Sequence, residues 1–336
     1  MENVKGAQSL VFHNSPYIIS SFSIVGKKEG RGPLKNQFDI VSKDDRFGQK
    51  TWEEAEAAMQ TTACEKVLKK KKIHPKEIRY LFGGDLLRQG TATALGVEDF
   101  RIPMFGLYGA CSTSGEALAL CAMSVAADYG ELMLAVTSSH FGSAEKEFRF
   151  PLGYASQRPL SSQWTVTGCG AFVVGHRKSN VRISAVTVGK IVDYGLRDPQ
   201  NMGACMAPAA MDTILRNFSD LQCDERAYDQ IITGDLGYVG SRILEDMMEK
   251  KGIHLRERHM DCGLMIYDRV RQKVNSGGSG CGCAATVLAS YIIPMVVSGK
   301  WRRVLFVPTG ALMSTVSFNE GNNVAGIAHG IVLEHC

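Results

Sequence analysis

Residues 106–124 read GLYGACSTSGEALALCAMS, a glycine-rich turn with a cysteine, followed by a run of small and apolar residues. This pattern predicts a tight bend with Cys111 in the first turn of a buried helix. Backbone N–H groups point outward at a helix start and its dipole is positive, so both features favour anions and lower the pKa of a thiol. Two functions stay open here, nucleophilic attack by Cys111 and simple ligand binding. A third interpretation is that Cys111 is only a small buried apolar residue.

The elements around this bend occur twice. An apolar strand ending in Gly-Asp-Leu, a glycine–cysteine helix start, a second apolar strand and a glycine-rich strand follow in the same order in both halves. They are residues 78–86, 109–119, 132–139 and 169–176 in the first half, and 228–236, 280–289, 304–311 and 328–335 in the second. Such strands, joined by helices, are typical of a parallel-rich sheet covered on both faces. We therefore predict an α/β fold of two duplicated halves, 1–178 and 179–336, with helix starts at one sheet edge.

Composition places the chain among ordinary globular proteins. It has 336 residues, 45% of them hydrophobic and 21% charged, enough for one large or two medium-sized domains. A net charge of +4, with no interleaving of basic and aromatic residues, argues against nucleic-acid binding but is compatible with an anionic ligand. The first residues lack a signal-peptide pattern, and the longest apolar run, 283–297, contains a proline and is too short to cross a bilayer. We therefore expect reduced cysteines and no membrane span.

The four lysines at 69–72 end a predicted helix whose start, Thr-Trp-Glu-Glu at 51–54, is a capping box. The lysine run has two interpretations. It is a patch for phosphate or a membrane surface, or it consists of cations on the last turn of a solvated helix.

Three cysteines raise the question of a metal. Cys281 and Cys283, with Cys262, suggest zinc, but no second pair of cysteines or histidines at ligand spacing accompanies them. We therefore predict no metal site and no cofactor.

The duplicated halves and the cysteine at the bend resemble the thiolase superfamily, which includes the ketoacyl synthases. The resemblance implies a thiolase-like five-layer αβαβα fold, a homodimer, and an elbow cysteine that is acylated with help from a His–His or His–Asn pair. Matching the strands puts Gly234 at the synthase histidine and Cys281 at the synthase asparagine, and the loop 319–323 contains no cysteine. General acid–base help is worth about 10²–10⁴-fold in rate, so these departures predict a chain that is not an enzyme. The alternative is an acyltransferase or ketoacyl synthase with Cys111 as nucleophile and His140 as base.

Segments in the middle of the chain resemble a narrower family. These are SSHFGSAEKEFRFP (138–151), QRP (157–159), QWTVTG (163–168) and VDYG (192–195), and they are similar to the stage V sporulation protein AD family of spore-forming Firmicutes. The resemblance implies a non-catalytic protein that binds dipicolinic acid (pyridine-2,6-dicarboxylate), alone or as its calcium complex. It also implies partners among the membrane proteins of the stage V sporulation A operon, and a role in moving dipicolinate across the inner spore membrane during sporulation. The chain would then lie peripherally on the cytoplasmic side of that membrane.

Dipicolinate carries two carboxylates on a flat ring, so its site needs two positions for anions and a planar slot. The helix starts at Cys111 and Cys281 would aim N–H groups at one cavity, with Ser112 beside the first of them. Gly234, at the position of a synthase histidine, would leave room for the ring.

Arginines are the expected partners of the ligand carboxylates. Arg149, Arg158 and Arg197 each offer a guanidinium for bidentate contact. For Arg158, in an Arg-Pro pair, the alternative is an exposed loop residue.

Other candidates follow the equivalent strands of the two halves. His140 and Ala311 are predicted to lie near the cavity, although His140 could instead be a hydrogen-bonded histidine at a strand end. Trp164 is expected in the core or at a dimer interface rather than against the ligand. Asp193 would repel a dianion, so we expect it to orient an arginine, to help hold calcium, or to stabilise a loop.

Overall fold

The computed structural model describes residues 3–14, 16–148 and 158–336. In these ranges the strands are β1 (Val4–Lys5), β2 (Ser9–Val11), β3 (Tyr17–Val25), β4 (Ile40–Val41), β5 (Tyr80–Gly84), β6 (Met104–Gly106), β7 (Leu132–Ser139), β8 (Trp164–Thr165), β9 (Gly168–Gly175), β10 (Val181–Thr187), β11 (Gln230–Thr233), β12 (His259–Asp261), β13 (Gly278–Ser279), β14 (Arg303–Val307), β15 (Thr309–Leu312), β16 (Ala325–Ala328) and β17 (Gly330–His335). The helices are α1 (Trp52–Lys70), α2 (Thr91–Val97), α3 (Thr113–Ala126), α4 (Phe141–Phe148), α5 (Met202–Leu221), α6 (Gly237–Glu249), α7 (Cys262–Met265), α8 (Cys281–Val287), α9 (Ile293–Val297) and α10 (Thr315–Asn319).

The main strands form one path with the same order in each half. Outward from the junction, the order is β3-β9-β7-β5-β6 in the first half and β10-β17-β14-β11-β12 in the second. In each set of five, the strand that comes last in the sequence, β9 or β17, runs antiparallel to its two neighbours. The other four strands of the set share one direction. The halves join where Tyr17 pairs with Arg182. The predicted duplication is confirmed, and the proposed boundary at 178/179 lies in the link between β9 and β10.

Helices form three layers around these two sets of strands. α1 and α2 cover the outer face of the first set, where Met59, Cys64 and Val67 enter the core. α5 and α6 cover the outer face of the second set. α3 and α8 lie between the sets and share one core with strands of both halves. The predicted αβαβα order is therefore present.

The central layer explains why the strand before His176 is rich in glycine. A Cβ at Gly170 would lie 2.7 Å from the backbone of Ala285, and one at Gly282 would lie 2.3 Å from the carbonyl oxygen of Gly168. α8 therefore packs against β9 backbone to backbone, where no side chain fits. This contact fixes the start of α8 against the first half of the chain.

α1 has the ends that the sequence predicts. The Thr51 side chain accepts a hydrogen bond from the Glu54 amide, and the Glu54 carboxylate accepts one from the Thr51 amide. The helix ends at Lys70, inside the lysine run.

None of the helices in the described ranges combines the length and the apolar character needed to traverse a bilayer.

Gly282→Ala tests the contact between α8 and β9. We expect a loss of stability of about 1–3 kcal/mol, since the added methyl group meets backbone atoms rather than a flexible side chain. The measurement is the unfolding midpoint in heat and urea, followed by circular dichroism. Gly106→Ala is the matched control, because the nearest atom to its Cβ is the Met104 Cε at 3.9 Å. Equal midpoints for the two variants would contradict the packing described above.

Candidate functional site

Cys111 lies on a one-turn 3₁₀ segment directly before α3. The preceding Ala110 has a φ of 51°, a left-handed conformation that costs a residue with a Cβ about 1–2 kcal/mol. Side chains of the next residues stabilise this turn: the Thr113 hydroxyl donates to the Ala110 carbonyl at 2.7 Å, and the Ser112 hydroxyl donates to the Gly109 carbonyl at 2.7 Å. The bend predicted from the sequence is therefore present, with Cys111 buried at its apex.

Asp235, which follows β11, is absent from the predicted site residues and lies beside Cys111. Its buried carboxyl group accepts hydrogen bonds from Ser279 Oγ (2.9 Å), the Gly280 amide (2.9 Å) and Thr309 Oγ1 (2.8 Å). The Cys111 thiol lies close enough for the two groups to shift each other's pKa. Burial raises the pKa of Asp235 to about 6, and these hydrogen bonds oppose part of the rise. The site therefore contains an acid that changes charge close to neutral pH.

These surroundings hold Cys111 as a neutral thiol. Burial raises the pKa of Cys111 well above its usual value, and the charge of Asp235 raises it further. The Ser279 hydroxyl, 3.7 Å from the sulfur, opposes the shift. The prediction of a lowered thiol pKa is wrong, because desolvation and a neighbouring acid outweigh the effect of the helix start.

Asp85 occupies the equivalent position in the first half. It follows β5 as Asp235 follows β11, and its buried carboxylate accepts hydrogen bonds from the Leu87 amide (2.8 Å) and from the Thr93 amide and hydroxyl (2.7 and 2.6 Å). The sequence contains the signal for both acids, since Gly-Asp-Leu ends each of the two repeated strands. A repeated buried aspartate after a strand therefore indicates Asp235 as directly as the repeated helix start indicates Cys111.

A cavity of about 50 Å³ lies beside Cys111. At about 10–15 Å³ for each ordered water, it has room for on the order of four water molecules. Its lining is mainly apolar, with a few polar groups: Leu86, Ala110, Cys111, Ala144, Glu145, Phe148, Thr165, Pro199, Gln200, Met202, Ser279, Ala311 and Met313. Of the predicted site residues that the structure describes, Cys111 and Ala311 line it. Ser112 is buried next to Cys111 but does not line the cavity.

Gly234 does not open space for a ring. A Cβ there would lie 3.0 Å from Pro308 Cα, 3.1 Å from the Thr309 nitrogen and 3.3 Å from Ala284 Cβ. The expected gap is therefore filled by the protein's own backbone. The next residue, Asp235, presents its side chain to Cys111, together with Ser279 of the same half.

The start of α8 is not open to a ligand in the predicted way. The Gly280 amide donates to Asp235, and the Gly282 amide donates to Ser139 Oγ at 3.2 Å. Cys281 is buried in one apolar cluster with Cys111, and its thiol donates to the Ser138 carbonyl at 2.8 Å. Two of the first amides of α8 therefore already donate within the protein, one to a carboxyl group and one to a hydroxyl. The predicted arrangement, in which both helix starts offer free amides to ligand carboxylates, is not present at α8.

His140 is a hydrogen-bonded histidine turned away from the cavity. One ring nitrogen, Nε2, lies 2.7 Å from the Asp45 carbonyl, and the other, Nδ1, accepts from the Gly142 amide at 2.9 Å. Its ring packs against Trp52, with centroids 5.4 Å apart, and burial lowers its pKa. His140 does not line the cavity and both of its ring nitrogens have partners, so its position supports neither the predicted ligand contact nor the alternative role as base.

Arg158 lies behind the cavity wall rather than in an exposed loop. Its guanidinium pairs with the Glu145 carboxylate at 2.9 Å and lies 4.6 Å from the ring centre of Trp164. Trp164 in turn stacks on Phe141, with centroids 4.2 Å apart, and does not line the cavity. Arg158 therefore reaches the cavity through Glu145.

The remaining candidates lie elsewhere. Asp193 is exposed, and it accepts hydrogen bonds from the Gly195 amide (2.8 Å) and from Asn323 (3.1 Å), so it stabilises a loop. Arg197 donates to the same Asn323 side chain at 3.1 Å. Arg149 lies outside the described residues. In the described part of the chain, no three His, Cys, Asp or Glu side chains are grouped closely enough to hold a metal ion.

Asp235→Asn tests the coupling between the acid and the thiol. The amide keeps the size of the side chain but carries no charge, so we expect the pKa of Cys111 to fall and its alkylation by iodoacetamide to speed up about tenfold at a given pH, the effect of a shift of about one unit. Mass spectrometry of the Cys111 peptide across pH gives the rate, with exposed Cys336 as internal reference.

Asp193→Asn is the matched control, since it removes an exposed carboxylate that is not bonded to Cys111. Two results would count against the coupling. One is an unchanged alkylation profile for Cys111 in Asp235→Asn, and the other is alkylation of Cys111 as fast as Cys336 at neutral pH in the unaltered protein.

Comparison with solved structures finds chains of the same architecture. A variant of OleA from Xanthomonas campestris superposes with a TM-score of 0.61 at 14% identity, covering 98% of this chain and 99% of that one. The 3-oxoacyl-[acyl-carrier-protein] synthase III of Aquifex aeolicus VF5 superposes with a TM-score of 0.59 at 12% identity, covering 95% and 100%. At these identities the likeness concerns the fold alone, which is thiolase-like.

Sequence comparison is more specific. The family model for stage V sporulation protein AD (SpoVAD) matches residues 6–334. The stage V sporulation protein AD of Bacillus subtilis (strain 168) is 40% identical over 329 residues, covering 98% of this chain and 97% of that protein. With its duplicated halves, its elbow cysteine and this match along nearly all its length, the chain belongs to the stage V sporulation protein AD family.

Proposed function

We propose that the chain binds dipicolinate, alone or as its calcium complex, and releases it unchanged. This binding would serve the movement of dipicolinate across the inner spore membrane during sporulation. The chain belongs to a sporulation family with a thiolase-like fold. The observation that carries the proposal is Asp235, a buried acid beside Cys111 at the place where acyl transfer would need a base.

Acyl transfer at Cys111 would need a thiolate and a proton acceptor. Burial and Asp235 hold the pKa of Cys111 well above its usual value, so the sulfur stays protonated. No histidine is found among the described residues that line the cavity. These features support capture without conversion.

The cavity walls suit a flat aromatic ring. Leu86, Phe148 and Ala311 supply apolar surface on which the ring can pack. Met202 and Met313 also line the cavity. Because methionine is unbranched and repacks easily, these two side chains allow the cavity to widen for a ligand larger than its present volume.

Polar groups at the cavity can receive the carboxylates. The hydroxyls of Thr165 and Ser279 lie at the lining, where they donate to Glu145 (3.3 Å) and Asp235 (2.9 Å), and each could exchange that acceptor for a ligand carboxylate. Arg158 is held by Glu145 at 2.9 Å, so a ligand carboxylate would compete with Glu145 for the guanidinium. The exchange replaces one carboxylate with another on the same arginine.

Asp235 makes binding of a dianion dependent on pH. Its pKa of about 6 means that it is mainly ionised above that pH and repels the ligand. Below that pH it is neutral, so the repulsion is lost. In a calcium complex the metal balances the charge of dipicolinate, so protonation of Asp235 should change the affinity of the complex little. The sign of the pH dependence therefore distinguishes the free dianion from the calcium complex.

Isothermal titration with dipicolinate tests this proposal. We expect the affinity for the free dianion to rise by roughly tenfold as the pH falls through about 6, as for a charge interaction of about one pKa unit. Asp235→Asn should bind with nearly constant affinity over the same range, whereas Asp193→Asn should keep the dependence of the unaltered protein. With calcium present, the dependence should be weak in all three proteins.

Two outcomes of the titration count against different parts of the proposal. No heat with dipicolinate, either alone or with calcium, would overturn dipicolinate as the ligand. Binding with the same pH dependence in Asp235→Asn as in the unaltered protein would leave the ligand in place but contradict the role of Asp235.

The acyltransferase alternative is tested separately. After incubation with acyl-CoA, intact-mass measurement should show no adduct on Cys111, because a neutral buried thiol is a poor nucleophile. A stable acyl adduct followed by a released product would overturn the non-catalytic proposal.

We also propose a homodimer, formed through the edge strand β6. In the described part of the chain β6 pairs only with β5, and its three residues are exposed. The central side chain of β6, Phe105, is 54% exposed. An apolar edge strand with free backbone groups is prone to pair with another chain, so two copies could join their sheets here. The membrane proteins of the stage V sporulation A operon remain the proposed partners, at the cytoplasmic side of the inner spore membrane.

Met104→Lys combined with Phe105→Lys tests the dimer. Two charges at the edge strand should convert the dimer to a monomer, measured by size-exclusion chromatography with light scattering. Tyr129→Lys with Leu160→Lys is the matched control, since these side chains are 68% and 83% exposed and lie outside β6. A monomeric unaltered protein, or a β6 variant that remains a dimer, would contradict this interface.

A further inference from the structure

A second cavity, of about 460 Å³, lies where the two halves meet and shares no lining residue with the cavity beside Cys111. One side is formed by the end of α1, with Lys70 and Lys71. Another is formed by the link between β9 and β10, with Arg177 and Lys178. We refer to this cavity as the basic pocket. Segments more than a hundred residues apart in the sequence thus bring four cations to one concave surface.

Most of this positive charge is not balanced within the protein. Lys70 pairs with Asp39 at 2.6 Å. Lys71, Arg177 and Lys178 form no ion pair with any residue of the ranges 3–14, 16–148 and 158–336. No aspartate or glutamate is found among the described residues that line the pocket. Three unbalanced cations around one cavity produce a local positive potential that favours an anion.

The shape of the pocket is fixed by hydrogen bonds. The Ser179 hydroxyl donates to the Ile18 carbonyl at 2.7 Å and accepts from the Val181 amide at 3.2 Å, which ties the β9–β10 link to β3. The Lys70 ammonium donates to the Ser21 carbonyl at 2.9 Å, which ties the end of α1 to the same strand. Both cationic segments are therefore held against β3 without a ligand.

One wall of the pocket is apolar. Ile18, Ile293 and Val297 line it beside the cations, and Val297 is 41% exposed. Ile18 and Ile293 are buried, so Val297 is the exposed part of this wall. A surface that offers cations next to an exposed aliphatic side chain suits a charged headgroup attached to an apolar chain. The lysines of a merely solvated helix end would need neither the arginine nor the apolar wall.

We propose that the basic pocket binds a phosphate group, carried by an anionic phospholipid headgroup or by a soluble phosphate. The planar guanidinium of Arg177 can donate to two phosphate oxygens, and Lys71 and Lys178 supply point charges beside the same group. The apolar wall favours the lipid as the source. This inference is independent of dipicolinate, since it concerns different residues and a different cavity.

The test compares vesicles and soluble phosphate. The unaltered chain should co-sediment with phosphatidylglycerol vesicles but not with phosphatidylcholine vesicles, and added salt should release it. Lys71→Glu, Arg177→Glu and Lys178→Glu together should weaken vesicle binding by at least about tenfold, given the contribution of each basic residue near an anionic surface. Inorganic phosphate and pyrophosphate, titrated by calorimetry, test the soluble source.

A charge-matched triple variant is the control. Lys43→Glu, Lys250→Glu and Lys251→Glu change the net charge equally at exposed positions outside the pocket, and this variant should bind vesicles nearly as the unaltered protein does. Thermal unfolding of both triple variants checks that they fold. If the pocket variant unfolds early, the neutral changes Lys71→Gln, Arg177→Gln and Lys178→Gln replace it.

Each result has a defined meaning. Vesicle binding that the pocket variant loses and the control keeps supports the lipid source. Binding of phosphate or pyrophosphate, without binding to vesicles, supports the pocket with a soluble source. Absence of binding to all of these probes, or equal loss in both triple variants, overturns the proposal.

Discussion

The site depends on one buried carboxyl group. Asp235 takes hydrogen bonds from Ser279, Gly280 and Thr309 and contacts the thiol of Cys111. An acid removed from water needs such donors, because an unpartnered buried charge is far more costly than the hydrogen bonds that compensate it. The amide at the start of α8 is therefore committed to an internal anion. The neutral state of Cys111 and the charge of the cavity both follow from this arrangement.

The arrangement is possible because the two halves approach at backbone distance. Gly170 and Gly282 let α8 lie on β9 with no side chain between them. The two-fold relation between the halves then brings the helix start of one half near the acid of the other, as Cys111 lies by Asp235. Asp85 and Cys281 occupy the corresponding positions. Burial raises the pKa of Cys281, and the charges of Glu56 and then of Asp85 raise it further. The duplicated fold thus places a buried acid near each helix-start cysteine, although the cavity described here opens beside Cys111.

Local sequence patterns predicted the elements well and the contacts between them poorly. The capping box at Thr51, the bend at Cys111 and the duplicated strand order depend on neighbouring residues or on a repeat, so they are readable from the sequence. The orientation of His140 depends on the Asp45 carbonyl, 95 residues away, and the space at Gly234 depends on the backbone of Pro308. Matching the strands assigned the position opposite Cys111 to Gly234, whereas in the structure the neighbouring residue, Asp235, lies there. Strand matching is not accurate enough to distinguish two adjacent residues. The positions of the side chains at the site therefore depend on contacts between residues that are distant in the sequence.

An acid with a pKa near neutrality gives a binding protein a means of release that needs no chemistry. If a dianion binds better when Asp235 is protonated, then by linkage its binding raises the pKa of Asp235, and a proton is taken up with the ligand. A rise in pH then favours the ionised acid and expels the anion. The same coupling is of no use to an acyl-transfer enzyme, because the ionised acid that would accept a proton also raises the pKa of the thiol that must lose one. The pairing of acid and thiol therefore supports the proposal of reversible capture over the alternative of acyl transfer.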